Sequence, residues 1–270
     1  MNRRAIVSMH HKTGTKWMSQ TFRAVSRDLG IDFHFFPARK QALGELVAPC
    51  IIVDRHAVWF TEEKRASEKL IGDRIFHLIR DPRDVVISGM HYHRKSEEPQ
   101  LHKTRDEFGG LTYQQKINSL PDDHSRYLFE MDNTAGKTIR SMLAWDYSKL
   151  ESFEVKYEDL IEDTETSLFA EISAHLGFSG DEITQCRDAF WRNSLFGTDV
   201  KKKSWKPDLK QTHVRSGRKR QWEKSFDKPL ARAFLERFPD ALVKLGYERD
   251  NAWINALPEQ CVDASPAASG

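Results

Sequence analysis

Residues 4 to 22 read Arg4-Ala-Ile-Val-Ser-Met-His-His-Lys-Thr-Gly-Thr-Lys-Trp-Met-Ser-Gln-Thr-Phe22. An apolar run, Ala5 to Met9, turns through the polar residues His10 to Thr15 and passes into a helix from Lys16. Strand, small-residue loop and helix start together suit an anion, because first-turn N–H groups lack helical acceptors and the helix dipole favours negative charge there. Gly14 lets the backbone approach a ligand, Thr13 and Thr15 add hydroxyls, and Lys12 adds a point charge. A Walker A loop needs Gly-x-x-x-x-Gly-Lys-Ser/Thr. Here one Gly follows the Lys by two positions, which counts against a nucleotide kinase or ATPase.

Outward from this stretch, other strands announce themselves as short apolar runs. Cys50 to Val53 is compact and apolar, as a buried parallel strand is. It leads at once into Asp54, Arg55 and His56. Functional residues of open parallel sheets sit just past strand carboxyl ends, and a His there is suited to take a proton near neutral pH. Arg74 to Ile79 is a further strand, followed by Arg80-Asp-Pro-Arg-Asp-Val-Val-Ile-Ser88. Pro82 suits a first helical position, and the planar fork of Arg80 suits a phosphate. Phe33–Phe36 and Phe153–Lys156 read as strands. Helices are expected at 16–29, 61–71, 164–176, 181–191 and 228–246, with one or two turns at 39–47 and helical periodicity across 111–150. Residues 94–110 and 197–214 read as loops. His91 and His93 stand as His-x-His, but no acidic or Cys partner lies at ligand spacing, so a non-metal role is favoured.

The chain has 270 residues, with 42 Lys and Arg against 40 Asp and Glu, a net charge of +2. That length buries one large core, and the near balance of charge argues against a general nucleic-acid binder. Cys50, Cys186 and Cys261 are too few and too scattered for a disulfide framework, which fits a reducing compartment. No apolar run approaches the roughly 18 residues of a membrane span. With the first strand so near Met1, no leader is expected, and the protein is read as cytoplasmic. The small, polar residues 258–270 are expected to be a disordered tail.

In this order the segments resemble the PAPS-dependent sulfotransferases. The loop His11-Lys12-Thr13-Gly14-Thr15-Lys16-Trp17 is similar to that family's 5′-phosphosulfate loop, Pro-Lys-Ser-Gly-Thr-Thr-Trp. His11 replaces the Pro, and Lys16 replaces the second Thr, leaving Lys16 its main-chain N–H. Arg80 to Ser88 is similar to the family's Arg-Asn/Asp-Pro-Arg/Lys-Asp-Val-x-x-Ser, whose Arg and Ser bind the 3′-phosphate. His56 falls where a catalytic His follows a Lys-Thr pair, although Asp54 and Arg55 do not match that pair. Tyr157-Glu-Asp matches a segment whose Tyr lies beside the adenine. Val214 to Phe226 resembles Arg-Lys-Gly-x-x-Gly-x-Trp-x-x-x-Phe without its second Gly. Arg215, Ser216 and Gly217 match the part that wraps the 3′-phosphate, and Trp222 and Phe226 the part that packs.

The resemblance implies a P-loop NTPase-like three-layer α/β fold, a central mostly parallel sheet flanked by helices, as one domain over residues 1–257. It implies transfer of a sulfuryl group from PAPS to an acceptor hydroxyl or amine, leaving PAP, with His56 and Lys12 catalytic and no metal. The acceptor is a small molecule, glycan or lipid; no nucleic acid and no membrane span enter, and oligomeric state is not legible. Two other classes remain: a P-loop kinase-like phosphoryl transferase, which would need ATP and Mg²⁺, and a non-enzymatic polyanion binder using the basic residues 201–220, which would show salt-steep binding without turnover.

Overall fold

The computed structural model describes residues 4–36, 46–57, 73–148, 151–194 and 219–260. The helix expected at 61–71, most of the turn at 39–47, the loop at 197–214, Arg215, Ser216, Gly217 and the tail beyond 260 lie outside these residues. The chain divides into two compact units, Met1–Asp81 with Arg140–Arg218, and Pro82–Ile139 with Lys219–Gly270.

Among the described residues the first unit is built on five strands: β1 (Arg4–Met9), β2 (Asp32–Phe36), β3 (Cys50–Asp54), β4 (Arg74–Ile79) and β5 (Glu151–Lys156). They form one sheet in the order β2-β3-β1-β4-β5, and every pairing is parallel. β1 and β3 are buried almost end to end and read as unbroken apolar runs, as strands covered on both faces do. Ala5, Val7, Ile51, Val53, Phe76 and Leu78 face one core, shared with α1 (Thr15–Leu29) and, further along the chain, with the α-helices Ser167–His175 and Asp181–Asn193. Phe169 and Phe190 stack there at 4.4 Å between ring centroids. Ile6, Ile52 and Ile75, one residue out of phase, face the other core with Leu46 and Trp145. The chain leaves β1 toward β2 and leaves β4 toward β5. The topological switch therefore falls between β1 and β4, the place where open α/β sheets bind ligands.

The second unit opens with α2 (Pro82–His93), then α3 (Tyr113–Asn118), α4 (Asp123–Asp132) and the start of α5 (Thr134–Leu143). The helical periodicity of 111–150 is thus cut into separate helices. Thr112 and Gln115 close a capping box at the start of α3, and the Asp122 carboxylate accepts from the Ser125 N–H at the start of α4. Residues 94–110, read as a loop, hold two 3₁₀ turns, Pro99–His102 and Asp106–Phe108. The single helix expected at 228–246 is two, Lys228–Arg237 and Ala241–Lys244. Pro239 has no N–H to continue the helix, and Asp240 takes a left-handed φ of 58°. Cys50 and Cys186, one on β3 and one among the helices of the first unit, are buried free thiols.

Within the second unit, Arg83 is 2% exposed. Its guanidinium lies 3.6 Å from the ring centroid of Trp222 and 4.7 Å from that of Trp253, and it pairs with Glu248 at 2.7 Å. Asp84 accepts from the Trp222 N–H at 3.0 Å. Arg83→Ala therefore leaves a partly buried carboxylate without its cation and two indoles without their filling. It is expected to cost about 3 kcal/mol of stability in a denaturant melt; a loss below about 0.5 kcal/mol would show the stack to be incidental.

Candidate active site

The loop after β1 is held by one carbonyl. His10 C=O accepts from the Thr13 N–H at 3.2 Å, the Thr13 hydroxyl at 2.8 Å and the Thr15 hydroxyl at 2.8 Å. The His10 N–H in turn donates to Thr13 Oγ1 at 3.1 Å. The two hydroxyls read from sequence as ligand donors are thus spent on the loop itself, and Thr13 is fully buried. They shape the loop through its backbone.

Lys12 sits at a left-handed φ of 67°, a conformation that costs a non-glycine residue roughly 1–2 kcal/mol. Gly14 at φ 103° is the N-cap of α1, where no side chain caps the first turn, and the first helical bond is Met18 N–H to Gly14 C=O. A Cβ on Gly14 would meet Tyr157 Cδ2 at 3.0 Å, so only glycine brings this turn down onto that ring. Lys12 and Lys16 are partly exposed at the same turn. Trp17 packs on Phe190, with ring centroids 5.3 Å apart.

Arg80, next after β4, reaches across the switch point. Its Nη1 donates to the Lys12 carbonyl at 3.0 Å, and its guanidinium lies 4.6 Å from the Tyr157 ring centroid. Tyr157, expected beside an adenine, is buried against Gly14 and edge-on to Trp17. It supports Arg80 and the loop from beneath. The Asp81 N–H is received by Glu158 at 3.2 Å, and burial raises the Glu158 carboxyl above its ordinary range.

His56 lies two residues beyond β3 and is exposed. Buried Asp54 accepts the His56 N–H at 3.1 Å and so fixes the turn that presents the ring. Ala57 follows at φ 48°, a second strained non-glycine position beside the loop. The His56 and His11 rings stack with centroids 6.5 Å apart, and the charge of His56 acts on His10. Lys12, Thr13, Gly14, Thr15, Lys16, Trp17, His56, Arg80 and Tyr157 thus all belong to the first unit. Ser88 is partly exposed on α2 of the second.

Sequence reasoning missed a polar chain behind the loop. His10 Nε2 is 2.8 Å from His77 Nε2, and His10 Nδ1 is 3.1 Å from Ser141 Oγ. His77 Nδ1 faces the Tyr147 hydroxyl and Glu154 Oε2, each at 3.3 Å, and its ring stacks on Trp145 at 3.7 Å. Burial depresses both histidines, His10 well below its usual range and His77 to about 3; the charges of His77 and His56 lower His10 further. The available signal was a histidine inside the apolar run of β4, set beside Ser8 in the parallel register with β1. In the second unit, buried His93 pairs with Glu130 at 2.6 Å, and Tyr113 donates to the same carboxylate at 3.1 Å. The acidic partner not found near His93 in sequence comes from α4. Among the described residues, no three His, Cys, Asp or Glu side chains gather to hold a metal ion, and no helix is long and apolar enough to cross a membrane.

No curated protein matches the sequence. The fold is similar to that of mouse sulfotransferase SULT7A1, solved with PAP, at a TM-score of 0.53 and 17% identity over 92% of this chain and 88% of that one. Residues 67–246, more than half of the chain and including Arg80 with the helix after it, match the model of the sulfotransferase domain. The chain belongs to the sulfotransferase domain family.

Proposed function

We propose that Lys12, Arg80 and His56 carry the reaction of this sulfotransferase, which moves a sulfuryl group from PAPS to an acceptor hydroxyl or amine and leaves PAP. PAPS supplies the activated sulfuryl group. The protein supplies a loop and helix start whose N–H groups and Lys12 ammonium face negative charge, and that charge grows on the leaving phosphate as the group departs. Arg80 meets the 3′-phosphate with its planar fork. His56, held by Asp54 just past β3, takes the acceptor proton. The acceptor is a small molecule or the hydroxyl of a glycan or lipid, met in the cytoplasm.

The observation that carries this reading is the bond from Arg80 Nη1 to the Lys12 carbonyl, with Tyr157 beneath both Arg80 and Gly14. It ties the two motifs to each other, which supports reading them as one anion-binding surface. PAP, the molecule in the structurally similar mouse enzyme, tests it directly. A ligand that binds only the folded state raises the melting temperature, so PAP should raise it well above ADP or AMP at equal concentration. Arg80→Ala should weaken PAP roughly ten- to a hundredfold, the loss of a charged hydrogen bond, and ADP far less. Equal shifts for PAP and ADP in the parent protein would turn attention to a phosphoryl-transfer reading.

A further inference from the structure

The reaction as described makes no use of the buried pair His10–His77 or of the partly buried Ser141 and Glu154 at its two ends. We propose that His77 is a positioning residue: it fixes the tautomer and orientation of His10, and His10 holds the anion loop in the shape that receives the phosphosulfate. This rests on the PAPS reading above.

The loop hangs from the His10 carbonyl, so whatever fixes His10 fixes the loop. The two Nε2 atoms, 2.8 Å apart, form a hydrogen bond only if exactly one carries a proton. Both rings are buried and depressed, hence neutral, and each has one N–H. The negative charge of an ionised Glu154, 3.3 Å from His77 Nδ1, favours the proton at that nitrogen, and the Tyr147 hydroxyl bonded there then accepts it. His77 Nε2 then accepts from His10 Nε2–H, and His10 Nδ1 accepts from the Ser141 hydroxyl. The stack on Trp145, 3.7 Å apart and 5° from parallel, fixes the plane of the His77 ring, and the bond to His10 Nε2 fixes which edge faces the loop. The groups facing the pair are Ser141 on α5, Tyr147 just after it, Glu154 on β5 and His56 after β3; Lys156 acts on Glu154.

The same geometry has a second state. Burial raises the Glu154 carboxyl to about 6, against the opposing charge of Lys156. As pH falls through that value Glu154 takes a proton from solvent and no longer favours a proton at His77 Nδ1, which loses it through the Tyr147 hydroxyl bonded there. His77 takes the Nε2 proton of His10, His10 takes the Ser141 proton at Nδ1, and the hydroxyl is reprotonated from solvent. One proton enters overall, and each ring remains neutral.

The test combines ring-¹⁵N NMR of histidine-labelled protein at pH 8 and pH 5 with calorimetric PAP titration of the parent, His77→Phe and Glu154→Gln. His10 should carry its proton at Nε2 and His77 at Nδ1 at pH 8, with reversal at pH 5. Glu154→Gln should abolish that pH step and weaken PAP severalfold at pH 8. His77→Phe keeps the stack on Trp145 and should weaken PAP at least about tenfold, as misplacement of a positioning loop does. Should His77→Phe not fold, the parent spectra and Glu154→Gln decide. Unchanged PAP affinity in the folded variants, or His10 protonated at Nδ1 at pH 8, overturns the proposal. A packing role alone would be satisfied by Phe and would leave the tautomers insensitive to pH. A parent protein that binds no PAP at all would instead sink the PAPS reading.

Discussion

Lys12→Ala is expected to lower kcat by two to three orders of magnitude at saturating PAPS, with a folded protein and a smaller effect on PAP affinity. The size follows from what the ammonium does. Several N–H groups at the start of α1 hold the nucleotide phosphate whether or not Lys12 is present. Negative charge on the bridge between sulfur and phosphorus grows only as the sulfuryl group leaves. A cation placed there acts more on the transition state than on the ground state, and removing one such group costs about 10²–10³ in rate. The left-handed backbone at Lys12 supplies a second, opposite readout. Lys12→Gly relieves a strain of roughly 1–2 kcal/mol, partly offset by the roughly 0.5–1 kcal/mol of added freedom in the unfolded chain. It should therefore be no less stable than the parent while losing the same activity. Lys12→Arg should not rescue, because the planar fork does not occupy the place of a compact ammonium. A kcat within about threefold of the parent in Lys12→Ala, measured with a screened hydroxyl acceptor, would remove the loop from the chemistry.

What was legible along the chain was local. β1, the tight turn at Gly14 and the start of α1 follow from an apolar run, a glycine and helical spacing within some twenty residues. Arg80 and its helix follow from an apolar run and a proline. The chemistry of neighbouring positions was less legible. Thr13 and Thr15 look alike as ligand hydroxyls, yet the turn is so tight that both reach back to the His10 carbonyl. Arg80 and Arg83 stand three positions apart in one motif and carry the same guanidinium. One turns to the Lys12 loop, while the other is buried between Trp222 and Trp253, with Asp84 bonded to a backbone N–H 138 positions away. Such partners are set by tertiary packing, which no spacing reports. The His10–His77 bond is of the same kind, since it depends on the parallel register of β1 and β4. The broken terminal helix differs, because Pro239 was in plain view and the apolar period ran on across it.

His56→Ala should reduce turnover about 10²–10⁴-fold, the usual contribution of a positioned general base, and leave PAP binding within about twofold. The two observables separate because His56 is held from β3 through Asp54, whereas the loop is held from His10. A general base works only when unprotonated, so kcat/KM in the parent should fall on the acid side, and that limb should be missing from the residual activity of the variant. His11 is the competing candidate, since its ring stacks on that of His56 at 6.5 Å. The pair of single variants decides between them. If His56 is the base, His11→Ala should cost only a few-fold, through the lost stack and any small tilt of the His56 ring. If His11→Ala loses the acid limb and His56→Ala keeps it, the roles exchange. Either result still leaves the base at the carboxyl end of the central strands, where the strained residues Lys12 and Ala57 already place backbone free energy. Full activity in both variants is the outcome that would send the search for the base to other residues altogether.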